Sequence, residues 1–171
     1  MTAPATETAS RPIHRVAAEL SASSGFLLAR LGLGFKAKAL AKVEKAGFEL
    51  YDYSVLAILA EGDRETQATI ADALAVDPSR LVALLDSLEE RRLILRQRDP
   101  HDRRRHVVSI TADGKRELSS LRDMVQQLED EFFAPLDPEA RKVFHQQLLR
   151  LAALNDPRCA FSPENGPGLA V

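Results

Sequence analysis

The strongest constraint on the fold of this chain is a change from helical to extended character near residue 93. Residues 78–92 (PSRLVALLDSLEERR) place leucines three and four positions apart, which predicts an amphipathic helix. The segments LILRQR at 93–98 and RHVVSI at 105–110 then flank the polar stretch DPHDRR. Two such segments with about six residues between them predict a β-hairpin. The fold must therefore attach one hairpin directly to the end of a helix.

This hairpin concentrates positive charge on a chain that is slightly acidic overall. Residues 91–105 contain seven arginines and two aspartates, a net charge of +5, whereas the whole chain carries −2, which leaves −7 for the remainder. A basic patch on an acidic body is typical of proteins that bind nucleic acid. A solvated charged loop would have the same composition, so the charge alone leaves both readings open.

Apolar periodicity predicts six helices around the hairpin, and so a mainly α fold in one domain with a real core. The predicted helices are 12–46, 51–60, 67–74, 78–92, 112–133 and a sixth that begins at Asp137 and Pro138. Within the first of these, Gly25, Gly32 and Gly34 each weaken the helix by about 1 kcal/mol relative to alanine, which indicates close packing or a bend. The fifth carries a heptad stripe suited to a helix partner.

Two short helices before the hairpin predict a helix-turn-helix. Thr66 and Asp77 are the expected N-caps, Pro78 fits the first helical position, and Ala71 is small enough for the helices to touch. In this arrangement the second helix enters the major groove with its N-terminus first. The pattern departs from the usual form at Ala75, where glycine often makes the turn, and two packed helices of an ordinary α domain would look similar.

A hairpin that follows a recognition helix makes a winged helix, and its arginines can reach DNA. Arginine at the tip can enter a narrow minor groove, and other arginines can contact phosphates. Asp99 or Asp102 is then expected to accept a bidentate hydrogen bond from a neighbouring arginine, most simply Arg103. Such a brace would fix the loop and leave Arg104 or Arg105 directed outwards.

The segment DPHDRRRHVVSITADG resembles the wing signature of the MarR family of bacterial transcription regulators. The usual form is D-x-x-D-R-R, a short strand, and L-T-x-x-G. The matching positions are Asp99, Asp102, Arg103, Arg104, Thr111 and Gly114, with Ile110 in place of leucine. The resemblance covers about residues 20–154, and the recognition-helix region is similar too. Ala83 departs from the family's frequent basic residue, and Arg92 departs from the glycine that usually ends the helix.

The resemblance implies a homodimer that binds a pseudo-palindromic double-stranded DNA operator, most simply as a repressor. Residues 12–50 and 112–155 would form the helical dimerisation region, and 51–111 the winged helix-turn-helix. Ser79, Arg80 and Val82 are expected at base edges, with Arg80 as the guanine reader. Phosphate contacts are expected from Thr66, Gln67, Arg98 and Arg103, and Arg104, next to Arg105, is expected in the minor groove.

Members of this family often respond to small anionic aromatic molecules, so the resemblance also implies an effector that releases the DNA. The expected effector-binding residues are His14, Arg15, Arg30, Tyr51 and Tyr53. Each of them has an ordinary alternative reading as a solvated or core side chain. Cys159 lies in an expected tail, so peroxide sensing through a cysteine near the first helix is not expected. The four histidines show no ligand spacing, and neither a metal nor a cofactor is expected.

The remaining features argue for a cytoplasmic protein that is not an enzyme. A single cysteine excludes an intramolecular disulfide, no apolar run reaches the roughly 20 residues of a membrane span, and the N-terminus lacks a signal core. Residues 1–11 and 156–171 are expected to be flexible tails. The sequence shows no nucleophile–base pair and no phosphate-binding glycine loop. The alternative function is a protein-interaction module on the same fold that does not bind DNA.

Overall fold

The computed structural model describes residues 15–62, 65–99 and 106–159. The elements in chain order are α1 (Ala18–Ser21), α2 (Ser24–Lys45), α3 (Leu50–Glu61), β1 (Glu65–Thr66), α4 (Gln67–Leu74), α5 (Pro78–Glu90), β2 (Ile94–Arg98), β3 (His106–Ile110), α6 (Ala112–Phe132), α7 (Pro138–Asn155) and a final 3-10 turn (Pro157–Cys159). The chain divides after Ala37 into two compact units. No helix in the described ranges is long and apolar enough to cross a membrane.

The first unit contains α1 and the first part of α2. The prediction of one helix over 12–46 is wrong, because the helix is interrupted at Ala22–Ser23 and residues 15–17 are not helical. The Ser23 hydroxyl accepts a hydrogen bond from the Phe26 amide at 3.3 Å, so this serine caps a new helix instead of continuing the old one.

The glycines of α2 do not mark close packing within the chain. The helix continues through Gly25, Gly32 and Gly34, and beyond the neighbouring backbone of the helix itself no described atom lies within 4 Å of a Cβ placed at Gly32 or Gly34. Of the two predicted explanations, close packing or a bend, close packing is therefore not found at these two glycines within the single chain. The same helix segment exposes four leucines, with exposed fractions of 42–72%: Leu27, Leu28, Leu31 and Leu33.

The second unit has one apolar core between α3, α4, α5, α6 and the sheet. The leucine spacing of 78–92 predicts a buried face for α5, which is confirmed, and α3 also buries one face. The buried residues are Val55, Leu56, Leu59, Leu81, Leu84, Leu85 and Leu88. Part of the predicted heptad stripe of α6 packs within the chain, because Leu118 and Leu121 belong to the core and α6 contacts α3. In α7 no residue is buried, and Val143, Leu151 and Leu154 are 47–77% exposed.

The hairpin is part of a three-stranded antiparallel sheet with the order β1-β3-β2. The two predicted strands are confirmed, and Arg98 pairs with His106 at the end of the described hairpin. The short strand β1 was not predicted. It pairs Thr66 with Val107, so the start of α4 is joined to the hairpin through backbone hydrogen bonds. This sheet fixes the hairpin relative to the helix pair.

The turn Pro157–Cys159 lies in the segment that was predicted as a flexible tail from residue 156. Arg158 donates to Asp156 at 2.8 Å, and the Cys159 amide donates to the Asp156 carbonyl at 2.9 Å. The remainder of that tail and the predicted N-terminal tail lie outside the described residues.

Candidate nucleic-acid interface

The helix pair α4–α5 begins at the two predicted caps. The Thr66 hydroxyl accepts from the Thr69 amide at 3.2 Å, and a carboxylate oxygen of Asp77 accepts from the Ser79 amide at 2.8 Å. The hydrogen bond from Ser79 holds the pKa of Asp77 below its ordinary value, so this cap is charged at neutral pH. Ala71 is buried between the helices, as predicted.

Both departures from the family's glycine pattern adopt the backbone conformation that favours glycine. Ala75 ends α4 with φ of 50°, and Arg92 follows α5 with φ of 60°. A left-handed residue directs the chain sharply out of a helix, and a side chain there costs about 1–2 kcal/mol relative to glycine. The turn geometry expected of the motif is therefore preserved despite the substitutions.

The first turn of α5 presents the three predicted base-contacting residues. Ser79, Arg80 and Val82 are all exposed, while the intervening Leu81 is buried. The Ser79 hydroxyl also bonds to Asp77, so it contributes to the cap. The guanidinium carbon of Arg80 lies 4.7 Å from the ring centroid of Tyr51 in the first turn of α3.

The predicted phosphate-contacting residues flank this turn, as far as the structure describes them. Thr66 and Gln67 are half-buried at the start of α4, and Arg98 is exposed at the end of β2. Asp99 is half-buried directly after Arg98. The other predicted wing residues lie outside the described residues: Asp102, Arg103, Arg104 and Arg105.

An ion-pair cluster between α5 and β2 was not predicted from the sequence. Arg96 donates to Glu89 through its backbone amide at 3.1 Å, through Nε at 2.8 Å and through a terminal nitrogen at 2.5 Å. Asp86 lies 2.6 Å from the same guanidinium. The guanidinium of Arg96 holds the pKa of Glu89 below its usual value of 4.5. The cluster fixes the hairpin to the recognition helix.

His106 is a further residue of this surface that sequence reasoning missed. It is exposed at the first position of β3 and lines a groove of about 340 Å³ together with Gln67, Ala71 and Val82. The side chains of α4, α5 and the hairpin thus border one concave surface. Its position opposite Arg98 in the register could have indicated this placement.

Thr111 and Gly114 explain the last part of the wing signature. The Thr111 hydroxyl accepts from the Gly114 amide at 2.9 Å and lies 2.8 Å from the Arg92 carbonyl, to which it donates. A Cβ at Gly114 would lie 2.8 Å from a side-chain carbon of Ile110 and would overlap the Leu93 carbonyl oxygen. The glycine therefore permits α6 to start directly against the base of the hairpin.

The expected effector residues are placed in different parts of the chain. His14 lies outside the described residues, and Arg15 and Arg30 are exposed in the first unit. Tyr51 and Tyr53 are half-buried on α3, where Tyr53 packs against the core.

A separate groove of about 390 Å³ lies between the end of α2 and α6. Its lining residues are Lys42, Lys45, Ala46, Ser120, Asp123, Met124 and Gln127. None of the expected effector residues lines it. The groove presents two lysines and the carboxylate of Asp123, and the Lys42 ammonium lies 3.8 Å from a carboxylate oxygen of Glu131. Among the described residues no group of three or more His, Cys, Asp or Glu side chains could hold a metal ion.

Comparisons with known proteins agree with this geometry. The model of the MarR family matches residues 46–105, which include the helix pair and β2 and end directly before β3. The structure of the transcriptional repressor CouR bound to a 23-mer DNA duplex is 30% identical, covers 82% of this chain and 99% of that chain, and superposes with a TM-score of 0.72. CouR from Rhodococcus jostii RHA1 bound to p-coumaroyl-CoA is also 30% identical, over 82% of this chain and 97% of that one, with a TM-score of 0.69.

A relative from Thauera aromatica, described as a regulatory protein for the hcr operon, is 32% identical over 99 residues. That match covers 58% of this chain and 60% of the relative's length, so the chain spans less than two thirds of it. The similarity to CouR extends over 82% of this chain and nearly the whole of the compared structure. This chain belongs to the MarR family, whose members are DNA-binding transcription regulators and not enzymes.

Proposed function

We propose that this protein is a repressor that binds a pseudo-palindromic operator as a homodimer and is released by a small anionic aromatic effector. The observation that carries the proposal is the attachment of the hairpin to the recognition helix through Glu89 and Arg96. This attachment lets one rigid body present the exposed first turn of α5 and the wing together. The likeness to the repressor CouR in its DNA-bound form supports the same reading.

In the proposed complex each part of the winged helix has its own role. Arg80 reads a guanine, while Ser79 and Val82 contact neighbouring base edges. Phosphates are contacted by Thr66, Gln67, Arg98 and Arg103. Arg104, next to Arg105, enters the minor groove, and Asp99 with Asp102 braces the wing.

Exposed apolar side chains on two helices support a dimer. In the first unit α2 exposes Leu28 by 54% and Leu33 by 72%, and in the second unit α7 exposes Leu151 by 52% and Leu154 by 77%. Faces of this kind mark interaction sites in soluble proteins. We propose that 12–50 and 112–155 form the dimerisation region and that 51–111 bind DNA, with the two recognition helices about 34–36 Å apart.

The effector is proposed to be an aromatic carboxylic acid or its coenzyme A thioester. CouR, at 30% identity, was crystallised with p-coumaroyl-CoA, which is an anionic aromatic thioester. The groove beside Lys42 and Lys45 offers two cations next to the C-terminal end of α2. Occupying a groove between α2 and α6 could shift the helices that hold the winged helix, and so couple the two sites.

The DNA-binding proposal is tested with an operator duplex that the protein selects from a random-sequence pool. Binding is measured by fluorescence anisotropy over a range of salt concentrations. We expect log K to fall linearly with log salt, with a slope of about −0.9 for each phosphate contact. Arg104→Ala should weaken binding about tenfold or more, because an arginine is lost from each half-site. Arg158→Ala is the matched control, because Arg158 is exposed and lies outside both the winged helix and the proposed dimerisation region.

Two outcomes would contradict this part of the proposal. If no duplex is enriched, the interaction-module alternative replaces DNA binding. If Arg104→Ala binds as tightly as the parent at every salt concentration, the wing does not contact DNA. The oligomeric state is measured by sedimentation at the same protein concentration, and a monomer bound to one half-site would contradict the dimer.

The effector proposal is tested by thermal shift with benzoic and cinnamic acids and with p-coumaroyl-CoA. A ligand that binds only the folded protein raises Tm, and the rise grows with the logarithm of the ligand concentration above Kd. The same compound should reduce operator binding in the anisotropy assay. If a compound releases the parent from DNA but Lys42→Gln and Lys45→Gln respond identically to the parent, the groove beside α2 is not its site.

A further inference from the structure

The contact between Arg80 and Tyr51 joins the recognition helix to the first turn of α3. The guanidinium carbon lies 4.7 Å from the centroid of the tyrosine ring, within the range of a cation–π interaction. We propose that Tyr51 is a positioning residue, which holds Arg80 in the orientation that reads its base and so sets sequence specificity. The inference rests on the proposed function, since it needs Arg80 at a base edge.

The contact suits an arginine that must still bind DNA. A cation–π contact attracts the charge of the guanidinium to the ring and uses none of its N–H groups in a conventional hydrogen bond, so these donors remain for a base. Among the described residues no hydrogen bond or ion pair uses the guanidinium of Arg80. A free arginine on the surface has to give up many rotamers when it binds a base. Tyr51 removes part of that cost in advance.

Tyr51 is itself held on a rigid element. The Glu49 amide donates to a carboxylate oxygen of Asp52 at 2.7 Å, which closes a capping box around the first turn of α3. The next turns of this helix are fixed by Val55 and Leu59 in the core. A ring on such a turn can determine where a neighbouring side chain points, whereas a ring on a loop could not.

A second arginine–aromatic pair shows what a structural contact of this kind looks like. The guanidinium of Arg91, at the end of α5, lies 3.8 Å from the ring centroid of Phe48 and also donates to the Gly47 carbonyl at 3.1 Å. Phe48 is buried in the core, Arg91 is exposed, and one of the donors of Arg91 is already used. Arg80 also lies over a ring but keeps its donors, which is the difference expected of a reading side chain.

The test compares Tyr51→Phe, which keeps the ring, with Tyr51→Leu, which keeps apolar bulk and loses the π face. The probe is the operator duplex selected by the parent protein, together with duplexes that each carry one changed base pair. Arg80→Ala first identifies the base pair that depends on Arg80. The readout is the ratio of Kd values for the changed and unchanged duplex at that pair, because this ratio does not depend on the active fraction of a destabilised variant.

We expect Tyr51→Leu to lower this discrimination about two- to fivefold, which corresponds to about 0.5–1 kcal/mol for an exposed cation–π contact. Tyr51→Phe should retain the discrimination of the parent. In the Arg80→Ala background Tyr51→Leu should change nothing further at that pair. Phe48→Leu, which disturbs the other stack, should lower Tm and leave the discrimination unchanged.

Three results would overturn the inference. Unchanged or improved discrimination in Tyr51→Leu would mean that the stack is irrelevant or competes with DNA. Equal losses in Tyr51→Phe and Tyr51→Leu would assign the effect to the hydroxyl. If Arg80→Ala identifies no base pair, Arg80 is not a reader, and the inference fails with it. Failure of the parent to select any duplex would instead refute the proposed function, so the two failures are distinguishable.

Discussion

The ion-pair cluster around Arg96 makes a quantitative prediction for Glu89→Ala. The substitution removes three hydrogen bonds from Arg96 and leaves Asp86 as the remaining partner that the structure shows for its guanidinium. One of the three comes from a backbone amide of β2, which is an edge strand in the order β1-β3-β2. Glu89 therefore satisfies an amide that the sheet itself does not pair.

The magnitude follows from the partial burial of the pair. The Arg96 side chain is 21% exposed and that of Glu89 is 35% exposed. Exposed ion pairs contribute about 0–1 kcal/mol, whereas breaking a buried pair costs about 3–5 kcal/mol. We expect a loss of about 1–2 kcal/mol for Glu89→Ala, or roughly 2–8 °C in Tm for a chain of this size. Asp86→Ala should cost less, because the Asp86 side chain is 50% exposed and Glu89 remains.

The assay is urea unfolding at one fixed protein concentration, because a dimer's stability depends on concentration. Glu90→Ala is the matched control, since Glu90 is the exposed next residue of α5 and should change stability by less than about 0.5 kcal/mol. A double-mutant cycle with Arg96→Met isolates the pair. Equal losses for Glu89→Ala and Glu90→Ala would refute the reasoning.

The same pair should respond to acid in a defined direction. Because Arg96 lowers the pKa of Glu89 in the folded state, the carboxylate stabilises the protein fully above its ordinary value of 4.5. This contribution is lost as the pH falls through the lowered folded-state pKa. The difference between parent and Glu89→Ala should therefore shrink at acid pH, and an undiminished difference there would contradict the assignment to the ionised pair.

Two further predictions concern buried positions of the same unit. Gly114→Ala should lower the free energy of unfolding in urea by about 3 kcal/mol, because the added Cβ would overlap the Leu93 backbone. Ser119→Ala, at an exposed position of α6, is the control and should be nearly neutral. A neutral Gly114→Ala would show that α6 can move away from the hairpin. Burial raises the pKa of Asp52, whose Oδ1 has no hydrogen-bond partner among the described residues. The Asp52 side chain therefore contributes to the stability of the fold at low pH, and this contribution is lost as the pH rises through the raised pKa. Asp52→Asn should gain stability relative to the parent from about pH 4 to about pH 7, and a constant difference would contradict the buried charge.

The sequence predicted those parts of the fold that local chemistry decides. The caps at Thr66, Asp77 and Thr111 mark helix starts, because each side chain satisfies amides within three residues along the chain. The leucine spacing of α5 predicted its buried face, because residues three and four positions apart lie on the same side of a helix. The extended segments at 93–98 and 105–110 predicted the hairpin. The structure adds the physical basis of the glycine in the wing signature, namely the close approach of Gly114 to Leu93.

The parts that were missed depend on residues far apart in the chain. The short strand β1 exists because Thr66 pairs with Val107, and a two-residue strand has no pattern of its own. Arg96 was counted in the basic cluster at 91–105, yet Glu89 and Asp86 neutralise it. Periodicity also could not locate the break at Ser23, because one serine in an apolar helix can either face solvent or cap a new segment.

The positions Ala75 and Arg92 show how a motif can depart from its usual residues and keep its geometry. Each residue has a positive φ, so the fold imposes a backbone conformation that its side chain disfavours. The strain is offset locally, because Val76 donates its amide to the Ala71 carbonyl and Leu93 donates to the Leu88 carbonyl, which closes each helix end. The directions in which the chain leaves α4 and α5 are thus set with the help of these closing hydrogen bonds, which a residue other than glycine also permits. A missing glycine in this motif therefore argues less strongly against a winged helix than its presence argues for one.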